Sequence, residues 1–288
     1  MESPRKSPGP TGSKLQSNFS PRHLAGSIAP CILSAMKSPT LLLALMLTTL
    51  TAFAAEKDTR TFEMRTYYAA PGKLDALHAR FRDHTVRLFE KHGVTNVGYW
   101  VPIENPDDRL VYVLAYPSRE ARESAWKAFF ADPDWKAAKA ASEAGGKLVA
   151  KVEQLFLSAT DFSPAVELTK AAPERVFEMR TYTTTTGHLP DLHARFRDHT
   201  IALFAKHGMT NLWYWQLQPD QPAPADTLLY FLAHASVDAA KASFGAFRTD
   251  PAWVAARTAS EEKAGGSLTV KDGVKSVFLK PTDYSPIR

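Results

Sequence analysis

In the stretch Phe62-Glu63-Met64-Arg65-Thr66-Tyr67 a carboxylate, a guanidinium and a phenol stand at every second position, and Glu178, Arg180 and Tyr182 repeat the set. In an extended strand, alternate residues share one face, so each trio is brought together by local geometry alone. A carboxylate and a guanidinium beside a tyrosine hydroxyl could polarise a small oxygenated substrate or bind its acid group. The same trio can serve as a fixed ion pair that sets the register between packed sheets. Phe62 and Met64 occupy the other face. If that apolar side meets helices, the charged trio points into the space between two sheets.

The histidines come next. His78, His84 and His92 recur as His193, His199 and His207, a set that invites a metal or haem reading. On a helix, ligands for one ion need three- or four-residue spacing, and these three do not have it, so no metal site is expected. His92, at a helix end, has a simpler use in offsetting the helix dipole. A haem ligand stays open as an alternative, with His84 and His199 as the first choices.

One position differs between the copies. Gly98 stands where the second copy has Trp213, and the neighbouring tryptophans Trp100 and Trp215 share that strand face. A glycine leaves room where an indole fills it. An aromatic-lined cavity is therefore expected near Gly98, Trp100 and Tyr67, with the second copy filled.

These residues are carried by a duplicated unit. Lys91-His92-Gly93, Asn96 and Tyr99-Trp100 recur as Lys206-His207-Gly208, Asn211 and Tyr214-Trp215. Asp132-Pro133 with Trp135 recurs as Asp250-Pro251 with Trp253, and TDFSP from Thr160 recurs as TDYSP from Thr282. The separation between the copies widens only where loops are expected. Within each copy the order is strand, helix, strand, strand, helix, strand. Phe62 to Tyr67 alternates, and Gly72 to His92 carries Leu74, Leu77, Phe81 and Leu88 at helical spacing, with Gly93 as a stop. Asn96 to Val101 and Leu110 to Tyr116 read as strands. Ser118 can cap a second helix, which Asp132-Pro133 interrupts and restarts, and Val149 to Leu157 forms the last strand. This is an α+β fold of two tandem ferredoxin-like βαββαβ domains, over 60–163 and 176–288, joined by a linker at 164–175. Each sheet also carries large groups on its second face, so the two copies are expected to press together as an intramolecular pseudo-dimer. Further self-association of chains is left open.

The string FEMRTY, the helix segment HARFRDHT ending in KHG, the Tyr-Trp strand and the D-P-x-W step, all present in both copies, resemble the NIPSNAP domain. The resemblance implies a fold similar to the dimeric α/β barrels, here formed within one chain. That superfamily includes cofactor-free monooxygenases, isomerases and haem-handling proteins. The expectation is a non-catalytic binding or interaction module that holds a small apolar or aromatic molecule in an aromatic pocket between the two sheets. Its ligand contacts would be Glu63, Arg65, Tyr67, Gly98, Trp100, Glu178, Arg180 and Tyr182. The alternatives are a cofactor-free monooxygenase or isomerase in which Tyr67, Arg65 and His84 handle protons, and a haem-binding protein.

Composition narrows the remaining classes. The formal charge is +5, but Arg5, Lys6, Lys14, Arg22 and Lys37 against Glu2 supply most of the excess. The remainder is almost neutral, which gives no support for nucleic-acid binding. After Met36, the apolar run Leu41 to Leu50 and the small-x-small site Ala52-Phe53-Ala54 read as a signal peptide over 36–54. The run is too short for a stable membrane span. Residues 1–35 read as a disordered or mis-assigned extension, and cleavage near Ala54 would deliver a secreted or periplasmic protein. Cys31, the single cysteine, falls in that extension, so the repeats contain no disulfide, thiol nucleophile or thiolate metal site. No glycine-rich nucleotide loop, H-E-x-x-H or G-x-S-x-G is present.

Overall fold

The computed structural model describes residues 57–168 and 174–288; the extension, the leader, Cys31 and residues 169–173 of the linker lie outside the described residues. The first copy runs β1 (Thr61–Ala69), α1 (Leu74–Arg80), a π-helical turn (Phe81–Thr85), α2 (Val86–Lys91), β2 (Thr95–Pro102), β3 (Arg109–Tyr116), α3 (Arg119–Ala131), α4 (Pro133–Ser142) and β4 (Val149–Ala159). The second repeats it as β5 (Val176–Thr184), α5 (Leu189–Arg195), a π turn (Phe196–Thr200), α6 (Ile201–Lys206), β6 (Thr210–Leu217), β7 (Thr227–His234), α7 (Val237–Thr249), α8 (Pro251–Ala264) and β8 (Thr269–Pro281). The helix expected as one piece from Gly72 to His92 is thus broken by a π turn. There Thr85 Oγ1 donates to the Arg80 carbonyl at 3.1 Å, and Thr200 does the same to Arg195.

Local chemistry sets the other boundaries. Ser118 Oγ accepts from the Ala121 amide at 3.2 Å, and Asp132 accepts from Asp134 at 2.8 Å with Pro133 opening α4. Both devices cap orphan amides and recur at Ser236 and Asp250. Gly93 and Gly208 take φ of +76° and +77°, the left-handed stop that glycine adopts without strain.

All strand pairings are antiparallel. Each copy forms a four-stranded sheet, and the edges join: β2 pairs with β8 through Trp100 and Pro281, and β4 pairs with β6 through Ala159 and Trp215. The result is one closed barrel in the order β1-β3-β2-β8-β5-β7-β6-β4. Closure leaves no sheet edge exposed, which two sheets merely pressed face to face would not achieve.

The chain after each last strand crosses onto the other copy. Thr282 N donates to Tyr99 O and Thr160 N to Tyr214 O, both at 2.9 Å. Tyr284 then packs on Phe81 and Tyr99 and reaches His78 Nδ1 at 2.8 Å, while Phe162 packs on His193 and Tyr214. Asp283 pairs with Arg82, and Asp161 pairs with Arg197.

The sidedness expected for the first strand is inverted. Phe62 and Met64 point into the barrel, where they join Val97, Trp100, Phe177, Trp213, Trp215 and Phe231 in one packed apolar cluster. Glu63, Arg65 and Tyr67 instead lie under the helices, where the donors that a buried carboxylate requires are found. A closed barrel of eight strands is just wide enough for apolar side chains to fill, and its interior cluster holds no arginine to balance a carboxylate.

The expected cavity at Gly98 is also filled. The Trp100 indole folds over this glycine, so a Cβ there would collide with the ring and meet Ile287 Cγ2 at 3.0 Å. Trp100 is fully buried against Phe177 and Phe231, with ring centroids 5.6 and 5.2 Å away. Tyr67 lies on the opposite side of the sheet from it. Sequence alternation shows which residues share a face, but both faces of these strands are aromatic. Which face turns inward is decided by closure.

Candidate functional site

Glu63 is fully buried, and five donors surround its carboxylate: Arg65 Nη1 at 2.6 Å, Arg122 Nη2 at 2.8 Å and Nε at 3.0 Å, Tyr116 OH at 2.9 Å and Trp126 Nε1 at 3.3 Å. Burial alone would raise its pKa. The Arg122 hydrogen bonds and the charges of Arg65 and Arg122 outweigh burial and hold the carboxyl below its ordinary value. A carboxylate so surrounded is a fixed anchor with no free lone pair for a substrate. Glu178 is held likewise by Arg180 Nη1 at 2.5 Å, Ser276 Oγ at 2.5 Å and His234 Nε2 at 3.0 Å. Both trios meet as their spacing requires, as structural ion pairs.

Arg65 lies over the rings of Trp126 and Tyr67, 4.6 and 5.5 Å from their centroids. That stack forms one side of a cleft of about 170 Å³ between the helices and the outer face of the first sheet, lined by Tyr67, Phe81, Trp126, Phe129, Phe130 and Trp135. The Arg80–Glu143 pair at 2.9 Å also lines it, and Lys139 joins the same carboxylate. Phe130 is 54% exposed, a large apolar ring left in water at the mouth. The π turn contributes Phe81 and Thr85 to the lining, and Arg80 immediately precedes it. Such single-turn irregularities often accompany functional positions in helices.

The second copy has the corresponding cleft, of about 320 Å³, with Tyr182, Arg195, Phe247, Trp253 and Glu261 in the repeated positions. Phe244 stands there for Trp126, Arg248 for Phe130 and Arg257 for Lys139.

Of the residues singled out in the sequence, Tyr67 and Tyr182 line these clefts, and so does Arg180; Arg65 and the two glutamates lie beside them. Gly98 and Trp100 belong to the barrel interior. His84 and His199 are exposed on the outer helix surface, so His84 does not join Tyr67 and Arg65, and His199 lines an open groove with Asp191 and Arg195. His78 and His193 are half-buried beside the crossing tails. Burial lowers both pKa values, that of His193 to about 4. His92 and His207 bond the capping Asp132 and Asp250 at 2.7 Å. Among the described residues no three His, Cys, Asp or Glu side chains are grouped to hold a metal ion, and no helix is long and apolar enough to cross a membrane.

Apart from Tyr67, the lining of the first cleft was missed by sequence reasoning, Arg80, Phe130 and Trp135 included. The i, i+4 series Phe81, Thr85, Phe89 beside a buried arginine was the available signal for this helix face.

A family model described as NIPSNAP matches residues 62–164 and 177–286. No curated protein matches by sequence. Among solved structures, a candidate monooxygenase from Fusobacterium nucleatum subsp. nucleatum is 11% identical and covers 77% of this chain and 92% of its own, with a TM-score of 0.51. An anthrone oxidase-like protein is 10% identical over 78% of this chain and 92% of its own, also with a TM-score of 0.51. A NIPSNAP-like domain protein from Burkholderia xenovorans is 18% identical over 38% of this chain and 92% of its own, with a TM-score of 0.34. At these identities the first two likenesses concern the fold.

Proposed function

The chain belongs to the NIPSNAP family, and from that premise we propose that it binds a small apolar or aromatic molecule in the cleft outside the first sheet. The supporting observation is the aromatic wall of Trp126, Phe129, Phe130 and Trp135 facing Tyr67, with Phe130 exposed at the mouth. An engineered apolar cavity of roughly 150 Å³ takes up benzene. A cleft of about 170 Å³ open on one side therefore suits one or two aromatic rings with the rest of the molecule outside. Arg80, Lys139 and Glu143 form a polar rim that can orient such a guest.

The test uses N-phenyl-1-naphthylamine, a neutral probe whose fluorescence rises in apolar surroundings. Binding is expected to weaken about tenfold, the worth of roughly 1.4 kcal/mol, in Phe130→Asp. Unchanged affinity in Phe130→Asp and in Trp135→Ala would refute this site.

A second reading, a cofactor-free monooxygenase or isomerase, is favoured by one observation: Tyr67, among the described residues the only phenol lining the first cleft, stands beside Arg65. On this reading Tyr67 exchanges the substrate proton, and His84, outside the cleft, takes no part. It requires a turnover that Tyr67→Phe abolishes while probe binding persists; equal turnover in that variant rules it out. Export rests on the leader sequence alone. Its check is the N-terminus of the protein recovered outside the cytoplasm, expected at Ala55 and contradicted by an intact leader.

A further inference from the structure

We infer that the second cleft is a separate site for an organic anion, an aromatic or short acyl molecule whose acid group is taken by Arg195, Arg248 and Arg257. The two clefts share one scaffold, so their differences isolate what has changed. At the mouth of the first stand Phe130, Lys139 and the Arg80–Glu143 pair; at the mouth of the second, Arg248, Arg257 and a loosened Arg195–Glu261 pair. Three guanidinium groups there face a single carboxylate.

The pairing distances show where the uncompensated charge lies. Arg80 reaches Glu143 at 2.9 Å, but Arg195 is 3.8 Å from Glu261, which has turned to Arg257 at 3.1 and 3.2 Å. Arg195 is 6% exposed, and its Nε, like that of Arg80, has no partner among the described residues, so the two clefts differ here in the distance to the carboxylate. The remaining contact of Arg195 is a long one, Nη1 to Ser260 Oγ at 3.3 Å. Asp191, which lines an adjoining groove with Arg195, is occupied by His188 at 3.0 Å and Lys263 at 3.5 Å. Arg180 is committed to Glu178. Arg248 is exposed and makes no ion pair among the described residues. Burial lowers the pKa of Arg195, and Glu261 offsets this only in part, as expected of a buried cation short of a counter-charge.

Aromatic groups of the cleft lie against two of these cations, Arg195 and Arg248. Arg195 lies over Trp253 at 5.3 Å, and Arg180 and Arg248 lie over Phe244 at 4.5 and 5.9 Å. These contacts hold Arg195 and Arg248 against the rings, and their guanidinium N–H groups can bond an acid group at two points. Phe244, Phe247 and Trp253 offer apolar surface to the body of the same molecule. A volume of about 320 Å³ falls within the range of small-molecule pockets.

The full chain is titrated with 1-anilinonaphthalene-8-sulfonate, which adds one acid group to the scaffold of the neutral probe. In the double variant Arg248→Phe/Arg257→Gln, both changes being at exposed positions, its Kd is expected to rise about tenfold while that of the neutral probe stays the same. Added salt should weaken the anion in the unaltered chain and have little effect in the variant. The inference is overturned if the anion binds the variant as tightly as the unaltered chain, or if both probes weaken together. It is also overturned if Phe130→Asp alone removes anion binding, which would put both probes in the first cleft. Loss of the neutral probe in Phe130→Asp with retention of the anion supports two separate sites; retention of both refutes the first-cleft reading and leaves the second to its own variants.

Discussion

Glu63 shows how the same residues can look like a catalytic set in sequence and act as an anchor in the fold. Alternation alone brought Glu63, Arg65 and Tyr67 onto one face, and the structure keeps that grouping. The strand could not reveal Arg122, Tyr116 and Trp126, which lie far along the chain and complete the carboxylate's surroundings. Replacing Glu63 with Gln removes the buried counter-charge shared by Arg65 and Arg122, leaving Arg122 only the exposed Glu123, at a cost of about 3–5 kcal/mol. Glu178→Gln removes the partner of one guanidinium, with His234 and Ser276 as the other donors, so its loss should be smaller. Urea unfolding of both variants gives the order, and an equal or reversed order contradicts it. The folded pKa of Glu63 lies below its unfolded value of 4.5, so this contribution is present above pH 4.5 and fades as the pH falls through the folded pKa. The unaltered chain should therefore lose stability more steeply than Glu63→Gln on acidification below pH 4.5; parallel curves would contradict the assignment.

At the scale of elements, the strand and helix order was legible because period, caps and stops agree in both copies. Ser118, Asp132-Pro133 and Gly93 act where their chemistry places them. The π turn escaped because inserting one residue does not spoil an apolar stripe enough to see. The crossing tails escaped for a different reason: TDFSP and TDYSP were visible as a repeat, but their contacts reach onto the other copy, over 36 positions for Asp161–Arg197 and 201 for Asp283–Arg82, and exist only once the barrel closes. Tyr284 contributes ring packing and a hydrogen bond to His78, whereas Asp283 contributes an exposed ion pair to Arg82. Loss of the ring should dominate. Tyr284→Ala is expected to cost about 2–4 kcal/mol, and Asp283→Asn less than about 1 kcal/mol. Thermal unfolding of the two variants separates them, and a larger effect from Asp283→Asn would be inconsistent with tails that act as packing locks.

For the whole molecule, duplication explains both the filled interior and the pair of clefts outside it. The two sheets are joined along both edges, and their inner faces form one aromatic core that leaves no room beside Gly98. Gly98→Ala should therefore cost about 1–3 kcal/mol through overpacking. Trp100→Leu in the same chain should recover part of that loss, a coupling expected of residues in direct contact. A neutral effect of Gly98→Ala would restore the internal cavity that the Gly98/Trp213 difference suggested. With the interior closed, the clefts proposed to take ligands lie outside, where the helices cover each sheet and the two copies have diverged in rim chemistry. Sequence comparison of the copies detected a divergence at Gly98, but the one that separates the two proposed sites is Phe130 against Arg248, and Phe130 reads as helix core until the fold places it at a cleft mouth. The most direct measurement is a crystal structure of the full chain with N-phenyl-1-naphthylamine: the naphthyl ring is expected between Phe130 and Trp135 above Tyr67, and a ring found inside the barrel beside Trp100 would contradict the account.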